Sequence, residues 1–154
     1  MDQIDGFDRK ILAALQTDGR LTNAELADAV GLSPSQCSRR RSQLEQSGII
    51  EGYTARINPA KVGIGLTSII SVTLASHDEQ NADRLRALLS GLPNVQDAYA
   101  LTGEMDYSIK VVCADLEALS TFINKTVLPH EAVQNVRTAI VLDTLKSSSA
   151  LPIG

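Results

Sequence analysis

Apolar residues recur at helical spacing in the first third of the chain and at strand spacing through most of the rest. Phe7, Ile11, Leu12 and Leu15 form an i, i+4, i+5, i+8 stripe. That stripe predicts a helix from about Asp5 to Thr17, stopped by Asp18-Gly19. Ala24, Leu26, Ala27 and Val30 form a shorter stripe, framed by a Thr22/Glu25 capping box and by Gly31, a residue suited to a left-handed C-terminal position. Ser33 can cap a third helix, and Pro34 suits its first position. Gln36 repeats the capping-box spacing, and Gly48 ends the helix. Ile49 to Ile57 turns β-branched and aromatic, which predicts a short strand or hairpin, a small wing. Asn58-Pro59, Gly63 and Gly65 then break regular structure.

Beyond Gly65 the pattern predicts a strand at 66–74 and a helix at 79–89 stopped by Gly91 and Pro93. A strand at 95–101 follows, then a turn at 103–106 and an alternating strand at 107–113. Asp115 caps a helix carrying Leu116, Leu119, Phe122 and Ile123, and a strand at 136–142 closes the series. The order β-α-β-β-α-β is the ferredoxin-like arrangement, so the fold class is α+β. The expected division is a winged helix-turn-helix domain at 1–60, a linker at 61–65, a ferredoxin-like domain at 66–146 and a tail at 147–154. Ser147-Ser148-Ser149 reads as frayed. One sheet face takes the helices. The other is expected to carry Ile70, Val72 or Val112, depending on register, and to need cover from a second copy.

Composition narrows the class. With 154 residues, 44% of them apolar, and a net charge of −4, the chain is a folded protein without a general positive coat. Any nucleic-acid contact must be local and strengthened by several copies. No apolar run approaches the ~20 residues of a membrane span, and Met1-Asp2-Gln3 opens no signal-peptide pattern. Cys37 and Cys113 are single and far apart, which fits core residues in a reducing compartment, so a cytoplasmic location is expected. The chain has no glycine-rich phosphate loop, no CxxC and no HExxH, and no cofactor, metal or catalytic residue is expected. His77 and His130 read as solvated loop residues.

Two places can carry chemistry. The first is the helical pair at 22–48, which has the layout of a helix-turn-helix. Arg39, Arg40 and Arg41 fan over more than half the circumference of its second helix, whose buried side is marked by Cys37 and Leu44. Thr22, Ser33, Ser35, Gln36, Ser38, Arg39, Arg40 and Gln43 are the expected DNA contacts. Arginine pairs with guanine, glutamine with adenine, and serine and arginine hold phosphates. The plainer alternative is a helical hairpin with a solvated basic face. The second place is the turn Thr102-Gly103-Glu104-Met105-Asp106-Tyr107. Gly103 permits a positive φ and leaves amides open for a carboxylate, while Asp106 or Glu104 can accept from an ammonium group. A hairpin turn with solvated acids is the alternative. Tyr99, Thr102, Gln134 and Thr138 are weaker lining candidates.

The chain resembles the leucine-responsive regulatory protein / AsnC family of transcription regulators over nearly its whole length. In the first domain the carriers are Asp8 with Ile11-Leu12, Gln16 with Arg20, Glu25-Leu26-Ala27 with Gly31-Leu32-Ser33, Arg40 with Leu44-Glu45, and Gly48-Ile49-Ile50 with Gly52-Tyr53. In the second they are Thr102-Gly103 with Asp106-Tyr107, and Leu145-Lys146. The resemblance implies a DNA-binding regulator, a homodimer that often assembles into an octamer or disc, and amino-acid sensing at the 102–107 loop. Arg41 departs from the pattern, which usually has an apolar residue there. Either Glu45 pairs with it or its head snorkels to phosphate. The expected function is effector-responsive, sequence-specific binding of double-stranded DNA. An architectural DNA binder without an effector and a small ferredoxin-like metabolic enzyme are the alternatives.

Overall fold

The structure, a computed structural model, describes residues 4–76, 78–147 and 150–153. The chain forms two compact units, Met1–Arg56 together with Lys146–Gly154, and Ile57–Leu145.

The first unit holds α1 (Gly6–Thr17), α2 (Asn23–Val30) and α3 (Pro34–Gln46). Each starts at a reciprocal capping box that satisfies amides with no intrahelical partner. At α1, Asp5 accepts from the Phe7 and Asp8 amides at 2.8 and 2.9 Å, while Asp8 accepts from the Asp5 amide at 3.1 Å. Gly31 ends α2 at φ 76°, a conformation that costs other residues a Cβ clash. Ile11, Leu26 and Cys37 are fully buried, and Leu12, Leu15, Ala27, Val30 and Leu44 complete the core. Burying a leucine such as Leu26 contributes on the order of 2 kcal/mol. From α3 only Cys37 and Leu44 are buried, so most of that helix's circumference is polar.

Two expectations change here. Residues 51–58 lie in no helix or ladder, so the strand or hairpin expected over 49–57 does not form. No strand of the described chain pairs with the segment, and Tyr53 is held by its side chain instead. The tail expected to fray is also attached. Gln16 donates from Nε2 to the Leu151 carbonyl at 3.2 Å and accepts from the Leu151 amide through Oε1, and Ile153 packs on the helical core. Ser148 and Ser149 lie outside the described residues; Ser147 is exposed coil.

The second unit is a four-stranded antiparallel sheet in the order β2-β3-β1-β4. Its elements are β1 (Leu66–Leu74), α4 (Glu79–Ser90), β2 (Val95–Ala100), β3 (Tyr107–Cys113), α5 (Leu116–Phe122) running into a π-turn, and β4 (Val133–Ile140). This is the expected ferredoxin-like order. Register decides the faces. Ser68, Ile70, Val72 and Leu74 of β1 and Ile109, Val111 and Cys113 of β3 are buried, and the apolar ones pack with Leu85, Leu89, Leu119 and Val127. Ile70 and Val72 therefore lie under the helices, and of the three expected open-face residues only Val112 is there. Its companions are Thr67, Ile69, Ser71, Thr73, Ser108 and Lys110, so the open face is more polar than expected. Strand β4 begins three residues early because a register shift at Thr73/Leu74 brings Val133 opposite Leu74.

Candidate nucleic-acid interface and effector turn

At about 100° per residue, Ser35, Gln36, Arg39, Ser42, Gln43 and Gln46 fall on one side of α3, and all six are exposed. Arg39 makes no ion pair among the described residues. Ser38 is half-buried at the border of this stripe. Ser33 and Gln36 serve the α3 cap: the Ser33 amide donates to Gln36 Oε1 at 3.0 Å, which leaves the Gln36 amide nitrogen open. Thr22 is tied to Glu25 in the same way at 2.7 Å, and those bonds, the backbone one foremost, hold the Glu25 carboxyl below the usual range. Ser42 and Gln46 are not among the expected DNA contacts. Helical spacing from Arg39 would have found both.

The three arginines do three different things. Arg40 was expected at DNA. Its Nη1 instead lies 2.8 Å from both Asp5 Oδ2 and Asp8 Oδ1, and its guanidinium stacks 5.6 Å from the Phe7 ring centroid. The Asp8 bond, then the Asp5 bond, hold its proton more tightly than in a free arginine. With its side chain 22% exposed and Asp8 at 16%, this pair is largely withdrawn from water and fastens α3 to α1. The physical reason is geometric: two carboxylates that cap α1 converge on one donor group. Arg41 is also internal. Its Nε donates to Glu45 Oε1 at 3.1 Å and to Tyr53 Oη at 3.0 Å, and Nη1 donates to the Leu21 carbonyl at 2.9 Å. Its guanidinium lies 4.8 Å from the Tyr53 ring centroid. Tyr53, then Arg41, lower the Glu45 carboxyl. Of the alternatives for Arg41, pairing with Glu45 holds. Arg39 is thus the one α3 base left open to a ligand among the described residues.

The second site is the β2–β3 connection. Gly103 has φ 136°. The Leu101 amide donates to the Asp106 carbonyl at 2.8 Å, and the Asp106 amide to Val72 at 3.1 Å. Asp106 Oδ2 accepts from the Leu74 amide at 2.8 Å, so this carboxylate anchors the turn to the end of β1. Met105 is half-buried, with its sulfur 3.6 Å from Thr73 Oγ1. Glu104 is exposed and reaches Arg137 of β4 at 3.1 Å. Tyr99 lies opposite Ser108 on the open face, and Thr102 is exposed in the turn. Tyr107 and Thr138 belong to the other face, since their neighbours across the ladder are Ala100 and the buried Ile70. Gln134 is exposed beside the β4 irregularity. The structure therefore gathers Tyr99, Glu104 and Met105 toward one face and separates Tyr107 and Thr138 from them. Arg137 joins them as a charged neighbour, although nothing in the local sequence marks it.

A cleft of ≈ 470 Å³ opens on the helix side between α4 and β2, lined by Arg86, Ser90, Val95, Ala98 and Tyr107 among others. His130 is half-buried and accepts from the Ala132 amide through Nδ1 at 3.3 Å, so it is not the solvated residue expected. His77 lies outside the described residues. Cys37 and Cys113 are buried, and burial pushes both thiols up. Among the described residues no helix is long and apolar enough to cross a membrane.

Residues 67–151 match the family model described as the Lrp/AsnC ligand binding domain, and residues 4–51 match winged helix-turn-helix DNA-binding. The chain is 35% identical to the leucine-responsive regulatory protein of Salmonella typhimurium over 97% of its own length and 92% of that protein's. It is 33% identical to the transcriptional regulator AzlB of Bacillus subtilis, covering 97% and 96% of the two chains. Among solved structures, a transcriptional regulator of Neisseria meningitidis in complex with L-Met superposes with a TM-score of 0.94 at 39% identity, covering 98% of this chain and 97% of that one. Escherichia coli AsnC gives a TM-score of 0.87 at 32% identity, with 96% and 98% covered.

Proposed function

The chain belongs to the Lrp/AsnC family of transcriptional regulators, and on that premise we propose that its α3 stripe reads operator DNA under the control of an amino acid bound near the 102–107 turn. The observation that carries the DNA reading is the exposed row Ser35, Gln36, Arg39, Ser42 and Gln43, whose one base is unpaired among the described residues. Arg39 meets a base edge or a phosphate, the Gln43 amide suits adenine, and the Gln36 nitrogen, its oxygen held by the cap, can donate to a single acceptor. Ser33, Ser38 and Thr22 flank the row at helix starts and edges, where hydroxyls and amides meet phosphate. Arg40 shapes the unit rather than touching DNA.

With a single free arginine on each recognition helix, phosphate neutralisation per copy is small, and affinity must come from several copies. A homodimer, itself able to assemble further, supplies two such helices and favours a pseudo-palindromic site. The protein acts in the cytoplasm. The domain division we infer is a DNA-binding part to about residue 60, a short linker at 61–65, and a sensing and oligomerising part at 66–146. An amino-acid effector is supported by the L-Met complex of the Neisseria meningitidis regulator and by the exposed Glu104 carboxylate of the turn, which lies beside the Arg137 guanidinium. Gly103, Thr102, Glu104 and Met105 form the core of the site, Asp106 fixes the turn, and Tyr99 and Gln134 stand at its edges. Tyr107 and Thr138 act from the opposite face, through the strands.

The test is a melting-temperature screen of the full chain against the twenty amino acids, followed by gel-shift titration with the hit at several salt concentrations. A ligand that binds only the folded state raises the melting temperature by mass action. DNA affinity that changes with the hit supports the regulator. Salt-sensitive DNA binding indifferent to every amino acid would favour an architectural protein, and no DNA binding at all would overturn both.

A further inference from the structure

The ion pair between Glu104 and Arg137 ties the 101–106 turn to strand β4. The turn is already hinged on β1 through the bond from the Leu74 amide to Asp106 and the contact of Thr73 with Met105. Thr73 and Arg137 lie on the open face, because Arg137 is opposite Ser71 and both alternate with buried or helix-side residues. Glu104 thus reaches across the end of β1 to a base on the next strand.

In the single chain the Glu104–Arg137 pair lies at the surface. Its side chains are 78% and 63% exposed, and a single nitrogen–oxygen contact of 3.1 Å joins them. Exposed pairs of this kind add little to stability and open easily. Arg137 has five donors in a planar fork, and a carboxylate is the group that fills such a fork with two parallel bonds. Asp106, the other acid of the turn, already accepts from a backbone amide. The charges exposed at the turn thus include one guanidinium and one carboxylate, resting against each other.

We propose that Arg137 is an effector-binding residue: the α-carboxylate of an amino acid takes the Arg137 fork while its ammonium group takes Glu104, so that the ligand replaces the ion pair. This rests on the amino-acid reading above and deepens it. An α-amino acid carries both charges a few bonds apart, so it fits between partners that need only a small opening. When the site is empty, the two side chains neutralise each other and neither charge is left bare. When it fills, Glu104 moves away from β4. Asp106, two residues on, is bonded to Leu74, so the displacement passes into the sheet through the turn.

The test uses the full chain and the amino acid found in the screen, with its decarboxylated amine and its des-amino acid as probes. Calorimetry is run on wild type, Arg137→Gln, Arg137→Lys and Glu104→Gln, with circular dichroism as the check on folding. Arg137→Gln should bind the amino acid at least tenfold more weakly and lose the wild-type preference for the amino acid over its amine. Arg137→Lys, which keeps the charge without the fork, should fall between. Glu104→Gln should weaken the amino acid and leave the des-amino acid unchanged. Arg137→Gln with wild-type affinity and preference would overturn the inference and leave the amino-acid reading intact. If Arg137→Gln misfolds, the wild-type comparison decides: an amine bound as tightly as the amino acid overturns it. Failure of all twenty amino acids to bind wild type overturns the reading and the inference together.

Discussion

Replacing Arg39 and Arg40 one at a time separates reading DNA from holding the reader in place. Arg40→Met keeps the apolar stem and removes the charge that Asp8 and Asp5 surround. Exposed ion pairs contribute about 0–1 kcal/mol, and breaking a fully buried one costs about 3–5. The Arg40–Asp8 pair, at 22% and 16% exposure, lies between these limits, so its loss should cost about 1–2 kcal/mol. In a small domain each kcal/mol moves the melting temperature by roughly 4–8 °C. A double-mutant cycle of Arg40→Met with Asp8→Asn should return a coupling of about 1–2 kcal/mol, because the two groups touch. Below the melting transition, Arg40→Met should bind DNA with an unchanged salt slope. Arg39→Met should do the reverse, leaving stability within about 0.5 kcal/mol and, if Arg39 meets phosphate, lowering the salt slope by about 0.9 per copy. Urea melts and salt-dependent gel shifts measure both. An Arg40→Met protein of wild-type stability with a reduced salt slope would refute the assignment of Arg40 to the fold.

Three further outcomes follow from the geometry. Arg41→Leu should lower stability by about 1 kcal/mol, because it strips the half-buried Leu21 carbonyl of its donor, and Arg41→Asp should cost more; urea melts showing Arg41→Leu at or above wild type would contradict this. The Asp5, Glu25 and Glu45 carboxyls sit below their ordinary values of 3.8, 4.5 and 4.5, so their contribution is complete above about pH 4.5 and drains away as pH falls through the depressed values. Thermal melts should be flat down to that point and decline below it, and a melting temperature constant to about pH 3 would contradict this. Gln16→Ala should cost about 1 kcal/mol and make the 150–153 segment susceptible to limited proteolysis, whereas a cleavage pattern identical to wild type would mean the segment is held by other contacts.

The helices of the first unit were readable because their ends carry local chemistry. Thr22 with Glu25, and Ser33 with Gln36, are three residues apart, and a spacing rule finds them. Arg40 is different. Its partner Asp8 is 32 residues away, and nothing in the run Arg39-Arg40-Arg41 distinguishes the base that faces out from the two that face in. The faces of β1 were illegible for another reason. Ile69, Ile70, Val72 and Leu74 put apolar side chains on both sides, so alternation cannot choose a face and only pairing with β3 and β4 does. At the effector turn the acids were visible as types, but their tasks depend on contacts outside the turn: the Leu74 amide for Asp106 and Arg137 for Glu104. The bonds of Gln16 to Leu151 join a helix to a segment beyond a serine run, and no local pattern announces a side chain pairing with distant backbone.

That attachment also sets an order in time. The helical unit draws on chain from both sides of Ile57–Leu145, so the ribosome delivers its final piece only after the whole sheet unit has been made. At ~5–20 residues per second the interval is roughly 4–18 s, long compared with helix formation. The three helices therefore emerge with one flank of their core still open to water, and Ile153 closes it late. A nascent chain in that interval can form its recognition helix before its helical core is complete, which makes the seconds after residue 56 leaves the ribosome the period when this unit is most exposed to chaperones and proteases.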